Sequence, residues 1–116
     1  MDGRVRYSTP ANTMTPIGPY SHIAQAGDFI TIGAVAGVDP ATGTLAGPDI
    51  ASQTIQILDS FEHMLRSVGS DLDHVLHINI FLKDMSFVEV QKQFQVIYHI
   101  TTNLRRNRPL FLIVGR

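Results

Sequence analysis

An apolar stripe with helical spacing between residues 49 and 69 constrains the fold more than any other feature of the chain. Its members recur at intervals of three, four and seven positions, and they are Ile50, Ile57, Leu58, Phe61, Met64, Leu65 and Val68. Such spacing places them on one side of an amphipathic helix. Asp49 is suited to cap the start of this helix and Gly69 its end. The stripe must be buried, and a β-sheet is the expected partner.

A strand predicted over residues 76–83 supplies that partner. Apolar and other residues alternate strictly along it, in the order Leu76, His77, Ile78, Asn79, Ile80, Phe81, Leu82 and Lys83. This period of two is typical of a strand with one packed face. Because the other face mixes Phe81 with polar residues, we expect a neighbouring subunit to cover part of it.

A second helix and a last strand are predicted in the C-terminal third. The helix begins at Ser86, which forms a capping box with Glu89, and should end near Tyr98. Its buried stripe is Phe87, Val90, Phe94 and Ile97. Residues 110–114 are continuously apolar, which indicates a central strand.

The N-terminal part predicts strands and turns. Residues 4–7 fit a short edge strand, and a loop rich in proline and threonine follows from 8 to 19. A Gly-Asp pair at 27–28 separates two β-prone runs, which predicts a hairpin. The order β, β, β, α, β, α, β indicates an α+β domain with two helices on one face of a mixed sheet.

Composition excludes several classes of protein. A chain of 116 residues fits one domain, 1–116, and a net charge of -1 gives no general attraction to nucleic acid or to an anionic membrane. The absence of cysteine excludes disulfides, thiolate nucleophiles and cysteine-based zinc sites. No apolar run approaches the ~20 residues of a membrane span, so we expect a soluble, cytoplasmic protein.

Neither metal nor nucleotide chemistry is indicated by the motifs. The five histidines, at positions 22, 63, 74, 77 and 99, form no H-x-x-x-H pattern, and His74 and His77 should lie on opposite faces of a strand. Asp59 and Glu62 are expected on the solvent face of the first helix, which argues against a catalytic carboxylate pair. No G-x-G-x-x-G joins a strand to a helix.

Two short motifs are specific when taken together, GPYS at 18–21 and D-P-x-T-G-x-L at 39–45; Gln53 and segments 68–70, 73–75 and 81–85 add to this pair. In this order and at this spacing they resemble the YjgF/RidA family, also known as endoribonuclease L-PSP or translation initiation inhibitor proteins. The resemblance covers most of the chain and implies a chorismate-mutase-like α+β fold, a homotrimer and clefts between adjacent subunits. It implies that these clefts hydrolyse 2-aminoacrylate-type enamines and imines to 2-keto acids and ammonia, without a metal or organic cofactor.

The resemblance also implies site residues. An arginine clamps the carboxylate of a small metabolite, and it falls on Arg105 or Arg108. We favour Arg108, because the start of a strand fixes a side chain better than a loop does. Tyr20 matches the tyrosine that lines the family's cleft. Where deaminating members have the Ser of an S-G-Q strand motif, this chain has Gly33, Ala34 and Val35, so a hydroxyl and an amide are missing.

The second-helix asparagine of the family falls on Gln91. Each site residue also has a purely structural interpretation: Tyr20 as a wedge that packs the loop, Gln91 as an exposed helix residue, and the arginines as a solvated tail. Members of the family continue into a further strand that carries an acidic residue, and we expect this chain to lack both.

These departures favour a second hypothesis, a non-catalytic trimer that binds a small carboxylate ligand or a protein partner. A ribonuclease is disfavoured, since phosphates could be neutralised only by the C-terminal cluster Arg105, Arg106, Arg108 and Arg116.

Overall fold

The structure is a computed structural model that describes residues 4–104 and the strand at 111–115. Its elements in chain order are β1 (Arg6–Ser8), β2 (Ile23–Ala26), β3 (Phe29–Ile32), β4 (Val38–Asp39), β5 (Thr44–Leu45), α1 (Ile50–Ser67), a 3-10 turn (Leu72–His74), β6 (His77–Phe81), α2 (Phe87–Leu104) and β7 (Phe111–Gly115). The predicted succession of strands and helices is confirmed, with the small β4–β5 hairpin and the 3-10 turn as additions.

The N-terminal sheet is antiparallel in the order β1-β2-β3. Ala26 pairs with Phe29, so the intervening Gly27 and Asp28 form the predicted two-residue turn. Gly27 has a φ of 57°, which suits the first central position of a tight hairpin turn. The edge strand β1 is present but lies one to two residues later than predicted.

Helix α1 has the limits and the buried side that its sequence predicts. At its start the Asp49 carboxylate accepts a hydrogen bond from the Ser52 amide at 3.0 Å. At its end Gly69 adopts a φ of 83°, and the Ser70 amide donates to the Leu65 carbonyl at 2.9 Å. This is a Schellman motif, because the Gly69 amide also reaches back to Arg66 at 3.2 Å.

The two helices pack against each other, and the core lies between the helices and the sheets. Its fully or nearly buried apolar side chains are Ile23, Leu58, Met64, Leu65, Leu72, Leu82 and Ile97. Leu58, Met64 and Leu65 belong to the predicted α1 stripe, which is therefore confirmed as the buried side of the helix.

Helix α2 begins directly after Ser86 as predicted, but its capping partner and its end differ from the prediction. It continues to Leu104 instead of ending near Tyr98. At its start the Ser86 amide donates to the Asp84 carboxylate at 2.9 Å. In the predicted capping box this amide would donate to the Glu89 carboxylate instead. Glu89 faces Lys92 instead, at 3.9 Å. A carboxylate two residues before Ser86 therefore replaces the predicted partner.

The strands of the described residues fall into three small sheets, β1-β2-β3, β4-β5 and β6-β7, which corrects the prediction of one mixed sheet. A single sheet requires a continuous hydrogen-bonded ladder, and no such ladder joins β3 to β6 in this part of the chain. Strands β6 and β7 are parallel, with His77 opposite Phe111. Neither helix of the described residues combines the length and apolarity that a membrane crossing requires.

Candidate functional site

An open depression of about 780 Å³ lies between the N-terminal sheet and the loop that joins β1 to β2. We call residues 9–21 the rim loop. The residues that line the depression are Tyr7, Pro16, Gly18, Pro19, Tyr20, Ser21, His22, Ala24, Thr31 and Gly33. They come from all three strands of the sheet, from the rim loop and from the segment after β3.

The floor of the depression is a row of three residues across the sheet. Tyr7 on β1 is opposite Ala24 on β2, and Ala24 is opposite Thr31 on β3. Residues in such a row project from the same face, because side chains alternate between the two faces of a strand. Ile23 and Ile32, also paired, belong to the other face, where Ile23 is fully buried.

The rim loop contributes the wall. Pro16 and Pro19 fix two backbone angles, and the Tyr20 amide donates to the Gly18 carbonyl at 2.8 Å. The Tyr20 hydroxyl accepts a long hydrogen bond from the Ile17 amide at 3.4 Å, so the tyrosine folds back on its own loop. With 43% of its surface exposed, Tyr20 remains open to a ligand.

The structure brings two of the predicted site residues together and separates two others. Tyr20 and Gly33 both line the depression. Ala34, the next residue, is exposed but does not line it, and Gln91 lies exposed on α2. Arg105 and Arg108 lie outside the described residues. The functional roles of all six remain predictions.

Most lining residues were not predicted as site residues, among them Tyr7, His22 and Thr31. The sequence does contain a signal for Thr31 and, through its neighbour Ala24, for Tyr7. The Gly-Asp turn fixes the register of the β2–β3 hairpin, and this register sets which residues lie in one row across the sheet. His22 carries no such signal. Its burial, with 1% of its surface exposed, depends on how the rim loop folds over it.

The lining exposes more apolar than polar surface, and its polar groups are mainly hydroxyls. These belong to Tyr7, Tyr20, Ser21 and Thr31, while the His22 imidazole is buried, and lysine, arginine, aspartate and glutamate are all absent from the described lining. Such a lining can donate and accept hydrogen bonds and can stack with a planar group. A carboxylate ligand would need a positive charge from outside the lining.

The predicted position of His74 on a strand is wrong. His74 is the last residue of the 3-10 turn, whose N-cap is Asp71. Its Nδ1 lies 2.7 Å from the Asp71 carboxylate. That hydrogen bond lowers the pKa of Asp71. Within the described ranges, no group of three or more histidine, cysteine, aspartate or glutamate residues could hold a metal ion.

The carboxylates of α1 lie away from the depression. Glu62 forms an ion pair with Arg66 at 2.5 Å. Partial burial, together with the neighbouring Glu62 charge, raises the pKa of Asp59. Glu62 lines a separate, smaller hollow of about 90 Å³ with Arg66, Asp71 and Asp73. Nothing in this arrangement faces the residues around Tyr20.

Known proteins of one family are similar to this chain in sequence. Residues 10–115 match the family model of endoribonuclease L-PSP. The chain is 39% identical to a RutC family protein of Pyrococcus horikoshii over 75 residues, which is 65% of this chain and 60% of the relative. It is 32% identical to a RutC family protein of Saccharolobus solfataricus over 94 residues, 81% of this chain and 70% of that protein. Against the two Pyrococcus relatives, the chain spans about 60% of the relative's length.

Solved structures show the same fold. The YjgF gene product of E. coli superposes with a TM-score of 0.81 at 20% identity, covering 96% of this chain and 85% of that one. A protein of Entamoeba histolytica named for endoribonuclease L-PSP gives 0.84 at 21% identity, covering 97% and 86%. A sequence relative that matches over less of its length is Reactive Intermediate Deaminase A of Arabidopsis thaliana. It is 30% identical over a segment that covers 60% of this chain and 37% of that protein. With a family model that spans almost the whole sequence and a fold that agrees with it, the chain belongs to the YjgF/RidA family, the family of endoribonuclease L-PSP.

Proposed function

We propose that this protein hydrolyses enamine or imine intermediates of the 2-aminoacrylate type to 2-keto acids and ammonia, in a cleft that a neighbouring subunit completes. The observation that carries the proposal is that Tyr20 and Gly33 line the same open depression. The chain's membership of this family adds to it. The name of the Arabidopsis relative, a reactive intermediate deaminase, points to the same chemistry.

The reaction requires an anion clamp and a positioned water. Protonation of the terminal carbon together with loss of a proton from nitrogen converts the enamine to the imine, and water then adds to the carbon of the C=N bond. The resulting amino alcohol transfers a proton to nitrogen and expels ammonia, leaving the keto acid. The hydroxyls of the depression can orient the imine and the water, whereas the carboxylate needs a cation.

We assign that cation to Arg108, with Arg105 as the alternative. A guanidinium can hold a carboxylate through two parallel hydrogen bonds, which fixes the orientation of the substrate as well as its charge. The described lining contains no lysine or arginine that could replace it. A clamp from the C-terminal segment, of the same or of an adjacent subunit, is therefore part of the proposal.

A homotrimer is part of the same proposal, because the depression on one subunit is open to solvent and needs a second surface to close it. The sheet face that carries Tyr7 is rich in exposed apolar side chains: Tyr7 is 68% exposed, Phe29 76% and Val5 49%. A cluster of this kind on one sheet face favours burial against another protein surface. A second copy placed there would deepen the depression and exclude water from it.

A second candidate function is non-catalytic binding of a small carboxylate. Gly33 and Ala34 present neither a hydroxyl nor an amide at the place where the family's deaminating members have both, and this observation favours binding without turnover. Endoribonuclease activity, which the family name suggests, is supported less well, because the depression lacks the basic residues that neutralise phosphates.

The direct test generates 2-aminoacrylate with a serine dehydratase and follows pyruvate release with and without this protein. We expect acceleration by the wild type, its loss in Arg108→Ala, and little recovery in Arg108→Lys, which keeps the charge but not the two-pronged geometry. Arg106→Ala is the matched control from the same segment and should behave as the wild type.

The outcomes separate the two candidates. Loss of acceleration in Arg105→Ala alone would move the clamp to Arg105. No acceleration by the wild type, combined with saturable binding of a 2-keto acid in calorimetry, would establish the binding protein instead. Light scattering tests the assembly separately and should give about three times the chain mass of 12.8 kDa.

A further inference from the structure

His22 is a buried imidazole between the rim loop and the sheet. Only 1% of its surface is exposed, and with Ile23 and Met64 it is among the largest fully buried side chains of the described residues. A buried histidine must satisfy its ring nitrogens inside the protein. The partners that it uses therefore show what it holds together.

The ring of His22 is bonded to the rim loop. Its Nε2 lies 2.5 Å from the Met14 carbonyl oxygen. Because a carbonyl can only accept, Nε2 must carry the hydrogen. The bond to Met14 thus places a hydrogen on Nε2, whereas Nδ1 is buried without a hydrogen-bond partner among the described residues.

The backbone of His22 is bonded both to the rim loop and to the segment after β3. Its amide donates to the Thr9 hydroxyl at 3.0 Å, which ties the first residue of the rim loop to the start of β2. Its carbonyl accepts from the Gly33 amide, also at 3.0 Å. One residue therefore connects the rim loop with Gly33, which also lines the depression.

The ring of His22 also supports Tyr20. The two ring centres are 6.0 Å apart and the planes meet at 75°, an edge-to-face contact. Tyr20 is partly exposed, and its own described hydrogen bonds stay within the rim loop, to Ile17 and Gly18. The contact with the buried ring of His22 therefore supports the Tyr20 ring from within the protein.

We propose that His22 is the positioning residue of this site: its Nε2–H bond to Met14 and its edge contact hold the rim loop and Tyr20 over the sheet. It touches the wall of the site rather than the reacting atoms. This positioning role goes beyond the reaction proposed for the depression. It applies whether the site binds a carboxylate without turnover or hydrolyses an imine.

The chain offers a matched control. His63 on α1 makes a bond of the same kind, from Nε2 to the Ala11 carbonyl of the rim loop at 2.7 Å, but it is exposed. Ala11 does not line the depression. Loss of this bond should loosen the far part of the loop without changing Tyr20.

The test compares two amide substitutions that place a donor differently. The amide nitrogen of glutamine is as far from Cβ, counted in bonds, as Nε2 of histidine, whereas that of asparagine corresponds to Nδ1. In His22→Gln the donor to Met14 is retained; in His22→Asn and His22→Ala it is lost. Hydrogen exchange of the Ile17 and Tyr20 amides reports on the loop.

We expect exchange of these two amides to accelerate about tenfold in His22→Asn and His22→Ala, and to stay within about twofold of wild type in His22→Gln and His63→Ala. Equal acceleration in the Gln and Asn variants, or in His63→Ala and His22→Ala, would overturn the proposal. Nitrogen-15 shifts of the wild-type imidazole test it without any variant: a proton on Nδ1 instead of Nε2 would contradict it even if the variants fail to fold.

These measurements need no substrate, so a protein without hydrolytic activity still tests the role of His22. If the wild type does hydrolyse 2-aminoacrylate, the Asn variant should lower kcat/KM about tenfold and the Gln variant should restore it. A Gln variant with a well-ordered loop but no activity would leave the positioning role intact and count against the assigned chemistry alone.

Discussion

Helix α1 and the rim loop are held in place by different kinds of contact. The caps of α1 involve residues at most five positions apart, such as Asp49 with Ser52 and Leu65 with Ser70. The rim loop depends on partners 8, 13 and 52 positions away, which are reached through His22 and His63. The rim loop has local hydrogen bonds as well, such as that from the Tyr20 amide to the Gly18 carbonyl, but the bonds that fix it to the sheet and to α1 cannot be recognised in a short stretch of sequence.

This difference explains where function is placed. A segment whose geometry comes from distant contacts can be varied without rebuilding the core, and loops on a rigid scaffold commonly carry binding residues for this reason. The depression is formed where the rim loop meets the sheet, whereas α1 packs against α2 and contributes no residue to the described lining. The four predictions that follow test this contrast, from the largest effect to the smallest.

The largest effect is expected in the core of α1. Met64 is fully buried, so Met64→Ala should reduce the free energy of unfolding by about 2 to 5 kcal/mol through lost burial and the cavity left behind. Urea denaturation measures it. Ile55→Ala, on the same helix but 46% exposed, is the control and should change stability by about 0.5 kcal/mol. Similar losses in both variants would contradict the assignment of the buried side.

The end of α1 should be sensitive to backbone conformation. Gly69→Ala places a side chain at a φ of 83° and should cost about 1 to 2 kcal/mol in urea denaturation. Gly33→Ala is the comparison at the site: its added methyl would lie 4.0 Å from the nearest atom, the His22 oxygen, and no positive φ is involved. A stable Gly69→Ala would show that the helix end tolerates another geometry.

The rim loop should respond to the loss of one distant hydrogen bond. Thr9→Val keeps the shape of the side chain but leaves the His22 amide without its acceptor, at a cost of about 1 kcal/mol in the free energy of unfolding. Thr9→Ser retains the hydroxyl and should stay close to the wild type. If the two variants lose stability equally, the methyl group matters and the hydrogen bond does not.

The smallest effect concerns the pH dependence of the α1 cap. Hydrogen bonds from the Ser52 hydroxyl and amide lower the pKa of Asp49 below its ordinary 3.8. The folded protein therefore favours the ionised carboxylate, which stabilises the fold above pH 3.8 and loses its contribution as the pH falls through the lowered value. Asp49→Asn caps the helix without titrating in this range.

Urea midpoints between about pH 2 and 7 should show this pattern. The stability advantage of the wild type over Asp49→Asn should shrink as the pH falls below 3.8. Ser52→Ala removes the first cause of the shift, and a carbon-13 titration should then find the pKa of Asp49 closer to 3.8. An advantage that does not change with pH would exclude the carboxylate as the cause.

The candidate site could be predicted only in part. The motif at 18–21 and its resemblance to the family identified Tyr20 and Gly33, which do line one depression. The same reasoning also named Ala34 and Gln91, which lie elsewhere on the surface. A motif gives the identity of residues along the chain, but whether two of them share a cavity depends on how loops pack across a sheet.

The sequence by itself determined α1, the hairpin around Gly27 and the apolar strands β6 and β7, because periodicity, caps and tight turns act over a few residues. The tertiary structure alone decided that α2 extends to Leu104, that the strands form separate small sheets, and that His22 is buried under the rim loop. The physical reason is the range of the interactions: the Met14 and Ala11 carbonyls find their donors only after the loop, the sheet and α1 have come together.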